Sequence, residues 1–237
     1  DRAIDLITNM GGRREGYPVR SLFSVKFQGL DEDGLPTFLN EKGNVTSDDI
    51  NFQERENLDF LQYEGPTDPT IQGSLGNIFK YKGFALNVFM TYSFGNVVRL
   101  DPVFSATYSD LSSMTKEFKN RWVQPGDEKY TDVPVILSYY QYQNNKQLRY
   151  GYNAYNYSDV RIAKGDFIRM KEISLSYDFP KAWIHPLNNL SLKLQATNLF
   201  LIYADKKLNG QDPEFFRSGG VSSPVPRQFT LTVKVGL

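Results

Sequence analysis

Seven tyrosines fall within one short stretch of this chain: Tyr139, Tyr140, Tyr142, Tyr150, Tyr152, Tyr155 and Tyr157. Gln141, Gln143, Asn144, Asn145 and Asn153 are interleaved with them. Rings that end in a hydroxyl offer flat apolar area and a hydrogen bond together, and amides add adaptable donors and acceptors. The chemistry this pattern suits is recognition of a glycan, a peptide or a partner protein. The equal alternative is that the tyrosines pack the segment on itself. Groups that make and break bonds are scarce. The chain has no cysteine, and its one histidine, His185, stands beside Pro186 in a turn. That removes disulfides, thiolate metal sites, histidine metal clusters and the common nucleophile–base pairs. Asp48 and Asp49 are adjacent carboxylates on a solvated segment, and no glycine-rich phosphate loop precedes a helix. The expectation is a protein that is not an enzyme, with no catalytic residue, metal or cofactor.

Charge narrows the partners. Lys plus Arg and Asp plus Glu both total 27, so net charge is zero and no basic tract suits nucleic acid. Aromatic residues make up 14% of the chain, which favours β-structure or an interface that accepts rings. No run reaches the ~18 apolar residues of a membrane helix. Mean hydropathy is −0.46, a value that says nothing about a membrane β-barrel, whose strands alternate lipid-facing and lumen-facing residues. Residues 1–5 lack the basic start and apolar stretch of a signal peptide.

The elements that would position such a recognition segment are strands. Five stretches alternate with period two. Ile71 to Tyr81 and Phe84 to Phe94 read as a hairpin about Lys82-Gly83, and the second places Leu86, Val88 and Met90 on one face. Phe167 to Phe179 carries Ile173 and Leu175 on its apolar face. Leu190 to Tyr203 carries Leu190, Leu192 and Leu194, and the last strand Phe229, Leu231, Val233, Val235 and Leu237. The opposite faces hold Asn87, Thr91, Ser174, Ser176, Ser191, Lys193, Gln195, Thr197, Thr230, Thr232 and Lys234.

Short connections near Lys82 and near Trp183 alternate with long ones, at about 1–68, 96–165 and 204–225. That is the layout of an antiparallel transmembrane barrel, with short turns at one rim and long loops at the other. Phe79, Tyr81, Phe84, Tyr177 and Phe179 lie beside the short turns, and Tyr92, Phe94, Tyr203 and Phe229 beside the long loops. Rings at both rims with aliphatics between match two interfacial girdles. The apolar set is therefore expected to face lipid. A secreted β-sandwich that binds carbohydrate is the alternative, and there the same leucines would face a protein core. About six strands are expected in all, counting one that ends near residue 1. Six leave unpaired edges that lipid does not tolerate, so the rest of the barrel is expected from further polypeptide, of the same or a separate chain.

A family resemblance is carried by specific stretches. Ser158-Asp-Val-Arg161 followed by Gly165-Asp-Phe-Ile-Arg-Met-Lys-Glu-Ile-Ser-Leu-Ser-Tyr177 resembles the signature of SusC/RagA-type TonB-dependent transporters. Asn198-Leu199-Phe200, Asp212-Pro213-Glu214 and Pro226 to Leu231 follow in the family's order. Upstream, Asn120-Arg121-Trp122, Asp132-Val133-Pro134, Glu15 to Val19 and Asp68-Pro69 also fit.

The resemblance implies the C-terminal part of a ~22-stranded barrel in the bacterial outer membrane. It implies import of oligosaccharides or peptides, a SusD-like surface lipoprotein over the long loops, and TonB coupling through a plug region that this chain does not contain. A barrel relative serving as a scaffold or assembly component is a further alternative. Trp122, in the family's extracellular loop, joins Tyr139, Tyr140, Tyr142, Tyr150 and Tyr152 as candidate contacts for substrate or partner. Many relatives carry a calcium loop before the Asp-Pro stretch. Here residues 31–49 place Lys42 among the ligand positions with degenerate spacing, so calcium is not expected.

Overall fold

The structure is a computed structural model that describes residues 2–8, 12–103, 114–216 and 224–237. Parts of the three expected long connections, residues 1, 9–11, 104–113 and 217–223, lie outside the described residues. In chain order the strands are β1 (Ser21–Val25), β2 (Phe27–Leu30), β3 (Pro36–Leu39), β4 (Val45–Thr46), β5 (Leu61–Pro66), β6 (Ile71–Tyr81), β7 (Phe84–Phe94), β8 (Val97–Arg99), β9 (Ile162–Lys164), β10 (Phe167–Asp178), β11 (Asn189–Ala204) and β12 (Gln228–Gly236). The α-helices are α1 (Ala3–Thr8), α2 (Tyr139–Asn144) and α3 (Leu148–Asn156). Two compact units result: residues 1–68 with 96–164, and residues 69–95 with 165–237.

The second unit is an antiparallel sheet in the order β12-β11-β10-β7-β6. Lys82, with φ of 44°, and Gly83, with φ of 86°, form the two-residue turn between β6 and β7. Both positions carry the positive φ that matches the twist of a hairpin. Pairing puts residues of like character in rows. Phe79, Leu86, Leu175, Leu194 and Leu231 are cross-strand neighbours in one continuous row. On the other face, Ile78, Asn87, Ser174, Gln195 and Thr230 form the next row. The expected strands are thus present within a residue or two, and the side-chain alternation of each is in phase with its neighbours. Across the row, Leu175, Leu194 and Leu231 remain 42%, 54% and 60% exposed. Full burial of such a side chain is worth about 1.5–3 kcal/mol, and half-exposure forgoes roughly half of that. An in-register face of this extent therefore belongs against an apolar medium.

The sandwich alternative fails on this face. Among the described residues of this unit there is no second sheet to cover the leucines. The described residues supply five strands to the sheet, and the first element described is the helix Ala3–Thr8.

β10 contains an irregularity that the alternation does not reveal. Its register shifts between Met170 and Glu172 against both neighbours: Lys171 is the extra residue against β7, and against β11 it lies opposite two residues, Asn198 and Leu199. A bulge of this kind reverses the parity of the strand. Ile168 and Met170 consequently pair with Tyr92 and Met90 in the rows continued by Ile173 and Leu175. Arg169 pairs with Thr91, in the rows of Glu172 and Ser174. Glycines mark close approaches in the neighbouring hairpin. A Cβ on Gly73 would meet the Tyr92 hydroxyl at 2.3 Å, and one on Gly76 would meet the Phe89 ring at 3.1 Å.

The first unit has its own core, in which Leu6, Phe23, Val25, Phe38, Ala154 and Tyr155 are buried. β1 pairs with β5, β2 with β3 and β4, and β8 with β9. α2 opens with a capping box, in which Ser138 and Gln141 satisfy each other's backbone N–H. α3 buries Leu148, Gly151, Tyr152 and Tyr155, the spacing of one helical face. Gly151 is required there, because a Cβ would lie 2.0 Å from the Ser47 carbonyl oxygen.

Candidate functional site

The polar face of the five-stranded sheet holds the densest cluster of charge in its unit. Its centre is Arg169, placed there by the bulge. The Arg169 guanidinium pairs with the Asp212 carboxylate, and both side chains are only 6% exposed. Arg169 Nε lies 2.9 Å from Glu214 Oε2. Lys171 Nζ donates to both Glu214 oxygens, at 3.0 and 3.1 Å. The guanidinium also sits 5.8 Å from the centre of the Phe167 ring and 5.9 Å from that of Phe215. Asp212 accepts a hydrogen bond from the Glu214 N–H at 3.1 Å and so caps the short turn Pro213–Phe215.

Farther along this face, Asn87 Nδ2 donates to Glu172 Oε1 at 3.1 Å, and Lys193 Nζ lies 3.9 Å from the same oxygen. The arrangement is suited to holding the β11–β12 connection on the wall. It places no nucleophile beside a base.

Two of the family-like stretches, Gly165–Tyr177 and Asp212–Glu214, therefore meet through Arg169 and Lys171. Neither cation was singled out by sequence as a functional residue. A signal was present in their numbering: both share odd parity with Ile173 and Leu175, and two cations do not belong in an apolar row.

In the first unit the candidate contact residues divide. Tyr139 and Tyr140, at the start of α2, are 78% and 75% exposed. Tyr142 and Tyr150 are half-buried. The Tyr150 hydroxyl accepts from Arg149 Nη2 at 2.9 Å, and the residue lines a cleft of about 600 Å³ with Asp48, Asp49, Asn51, Gln53 and Gln147. Tyr152 is instead a core residue, 2% exposed, whose hydroxyl donates to the Val135 carbonyl at 2.7 Å. Burial pushes its phenol pKa upward. Trp122 is also buried, with Nε1 donating to Glu128 Oε2 at 3.2 Å and its ring lying over Gly34. These two rings serve packing, because their polar tips are satisfied within the unit.

Around Asp159 and Arg161 the same economy holds. The Asp159 carboxylate accepts from the Phe27 N–H at 3.1 Å, while Arg161 pairs with Glu117 and donates to the Asp101 carbonyl at 2.7 Å. Arg99 lies deep in this unit, where burial lowers its pKa to about 10; its Nη2 donates to the Phe23 carbonyl at 2.6 Å.

Within residues 31–49, the side chains turn the backbone. Asp31 Oδ1 accepts from the N–H groups of Asp33 and Leu35, and Asn40 Oδ1 from those of Lys42 and Asn44. Lys42 Nζ donates to Asp49 Oδ2 at 3.0 Å, placing an ammonium among the carboxylates.

An antiparallel sheet with one apolar and one polar face, short turns at one end and long connections at the other, defines the class: the wall of a transmembrane β-barrel. No family model matches the chain. It is 29% identical over 191 residues to the TonB-dependent receptor P39 of Formosa agariphila, covering 74% of this chain and 17% of that protein. In fold it is similar to the RagAB peptide importer in its open-open state, with a TM-score of 0.64 and 21% identity over 94% of this chain and 23% of that one. It is likewise similar to the RagAB peptide transporter, with a TM-score of 0.63 and 21% identity over 93% of this chain and 23% of that one. The chain thus spans about a fifth of the length of the proteins it matches. Its resemblance to the barrel of a SusC/RagA-type TonB-dependent transporter is carried by sequence and by fold together.

Proposed function

We propose that the chain forms C-terminal wall strands of an outer-membrane transporter that imports oligosaccharides or peptides. The observation that carries this reading is the in-register apolar face of the five-stranded sheet, backed on its other side by polar and charged rows. In lipid, Leu86, Val88, Met90, Ile173, Leu175, Leu190, Leu192, Leu194, Phe229, Leu231, Val233, Val235 and Leu237 face the acyl chains, and the polar rows line the lumen. The edges of β6 and β12 pair with further strands of the same barrel, which removes unpaired backbone from lipid.

Energy enters through TonB, by way of segments outside this chain. A SusD-like surface lipoprotein meets the long-loop side, where Tyr139 and Tyr140 offer exposed rings. The similarity to a TonB-dependent receptor and to the RagAB importer supports this assignment.

Membrane fractionation tests it. The chain is expected in the outer-membrane fraction and in solution only with detergent. Recovery as a monodisperse species without detergent would overturn the reading. Deletion is expected to abolish growth on a polymeric or peptide nutrient; unimpaired uptake would leave a scaffold role in its place.

A further inference from the structure

The two short connections of the sheet share a composition that transport does not require. The β6–β7 turn is Lys82-Gly83, flanked by Tyr81 and Phe84. The β10–β11 connection runs from Phe179 to Asn188 and contains Lys181, Trp183 and His185. Each has one exposed lysine close to an exposed ring, and neither contains a carboxylate. Tyr81 is 70% exposed and Trp183 is 72% exposed. The Lys82 ammonium lies 5.2 Å from the centre of the Tyr81 ring. Lys181 and Trp183 belong to the same short 3₁₀ turn.

Beneath them the rings continue in a ladder. Phe84 and Tyr177 have centroids 4.4 Å apart, and Tyr177 and Phe179 4.8 Å apart. The nearest carboxylate on the strands, Asp178, has the parity of the polar rows, since its partner is Ser191. The outward side of this rim thus presents cations and amphipathic rings without a compensating anion from the connections.

We infer that this rim is a binding site for the headgroup of an anionic phospholipid, with Lys82 and Lys181 taking the phosphate and Tyr81 and Trp183 seated at the headgroup level. The inference rests on the barrel reading above. Amphipathic rings favour the boundary between acyl chains and water, and a lysine near an anionic surface gains Coulomb energy there. A zwitterionic lipid satisfies the rings equally but the lysines less. The site is therefore selective by charge.

Native mass spectrometry of the intact protein, extracted in detergent and given phosphatidylglycerol or phosphatidylethanolamine, tests the site. The unaltered protein is expected to retain phosphatidylglycerol preferentially. Lys82→Gln or Lys181→Gln is expected to lower retention about fivefold each, and the double variant about twentyfold. Lys193→Gln, on the polar face, is expected to leave retention unchanged. Millimolar inorganic phosphate is expected to leave the lipid in place. Equal retention of the two lipids by the unaltered protein, undiminished retention by the double variant, or displacement by free phosphate would each overturn the headgroup site. A heat-modifiable gel shift confirms that each variant is folded. A protein that stays monodisperse without detergent would overturn the barrel itself, a result separate from any lysine effect.

Discussion

Arg169 of β10 and Asp212 of the β11–β12 connection, 43 residues apart, form a buried ion pair on the polar face of the sheet. A buried pair is expensive to break, because the partner that stays behind is a desolvated, uncompensated charge. Glu214 and Lys171 extend the pair into a network, and the rings of Phe167 and Phe215 flank the guanidinium. The connection is held by chemistry specific to arginine, whose planar fork reaches two carboxylates while its faces meet rings.

Arg169→Met or Asp212→Asn is therefore expected to destabilise the folded protein by about 3–5 kcal/mol, measured by denaturant unfolding in detergent or lipid. Arg169→Lys is expected to recover only part of the loss. The double change to apolar residues should cost less than the sum of the single changes, because no charge is left unpaired. Additive losses would mean that the two residues do not act as a pair.

Leu194 and Gln195 are adjacent on β11 and lie on opposite faces. Leu194→Arg is expected to cost about 2–4 kcal/mol near the bilayer midplane, and Gln195→Arg far less, because it enters a polar row. Urea unfolding of the protein folded into vesicles reads both. Equal costs would contradict the facing of the sheet.

Gly34 has φ of 75°, and a Cβ there would meet Trp122 Cδ2 at 2.4 Å. Gly34→Ala combines about 1–2 kcal/mol of left-handed strain with a displaced indole. The expected readouts are a lower unfolding midpoint and a red-shifted tryptophan emission. Gly43→Ala has positive φ but no atom within 4 Å, so it should show the strain alone.

Asp31 is partly buried, and desolvation raises its pKa above the ordinary value of 3.8 despite two backbone N–H bonds. A carboxyl whose folded pKa exceeds its unfolded value contributes stability that is fully present below the unfolded value. That contribution is lost as pH rises through the folded value. Asp31→Asn keeps an oxygen acceptor for both bonds and removes the charge. It is expected to flatten this part of the pH–stability profile just above pH 3.8 and to be neutral or stabilising at pH 7. Stability against pH of the two proteins, measured side by side, checks the sign.

Much of the sheet was legible because the side-chain period of a strand is two. Phe84–Phe94 and Phe229–Leu237 announce both their extent and their apolar face in their own residues, and the turn at Lys82-Gly83 is equally local. The first unit was less legible. Its segments are short and lack a sustained period, so by sequence alone residues 1–68 and 96–165 have the character of long loops. The structure gives them a core built from contacts such as Phe23 with Tyr63 and Phe27 with Tyr155. Tyr152 and Tyr140 look alike in sequence, yet one is sealed against Val135 and the other stands in solvent. Only the neighbours supplied by distant segments separate them.

The sequence by itself determined the strands, their apolar faces, the alternation of short and long connections, and the absence of cysteine chemistry. Each of these is a property of residues close together in the chain. Tertiary structure alone decided where parity breaks. Continued from Ile173, the alternation of β10 would turn Arg169 to the apolar face. The bulge at Lys171 turns it to the polar one, where Asp212 neutralises it. A register shift costs one unpaired residue, whereas an arginine facing lipid costs several times more, and that balance exists only once β7, β10 and β11 are paired.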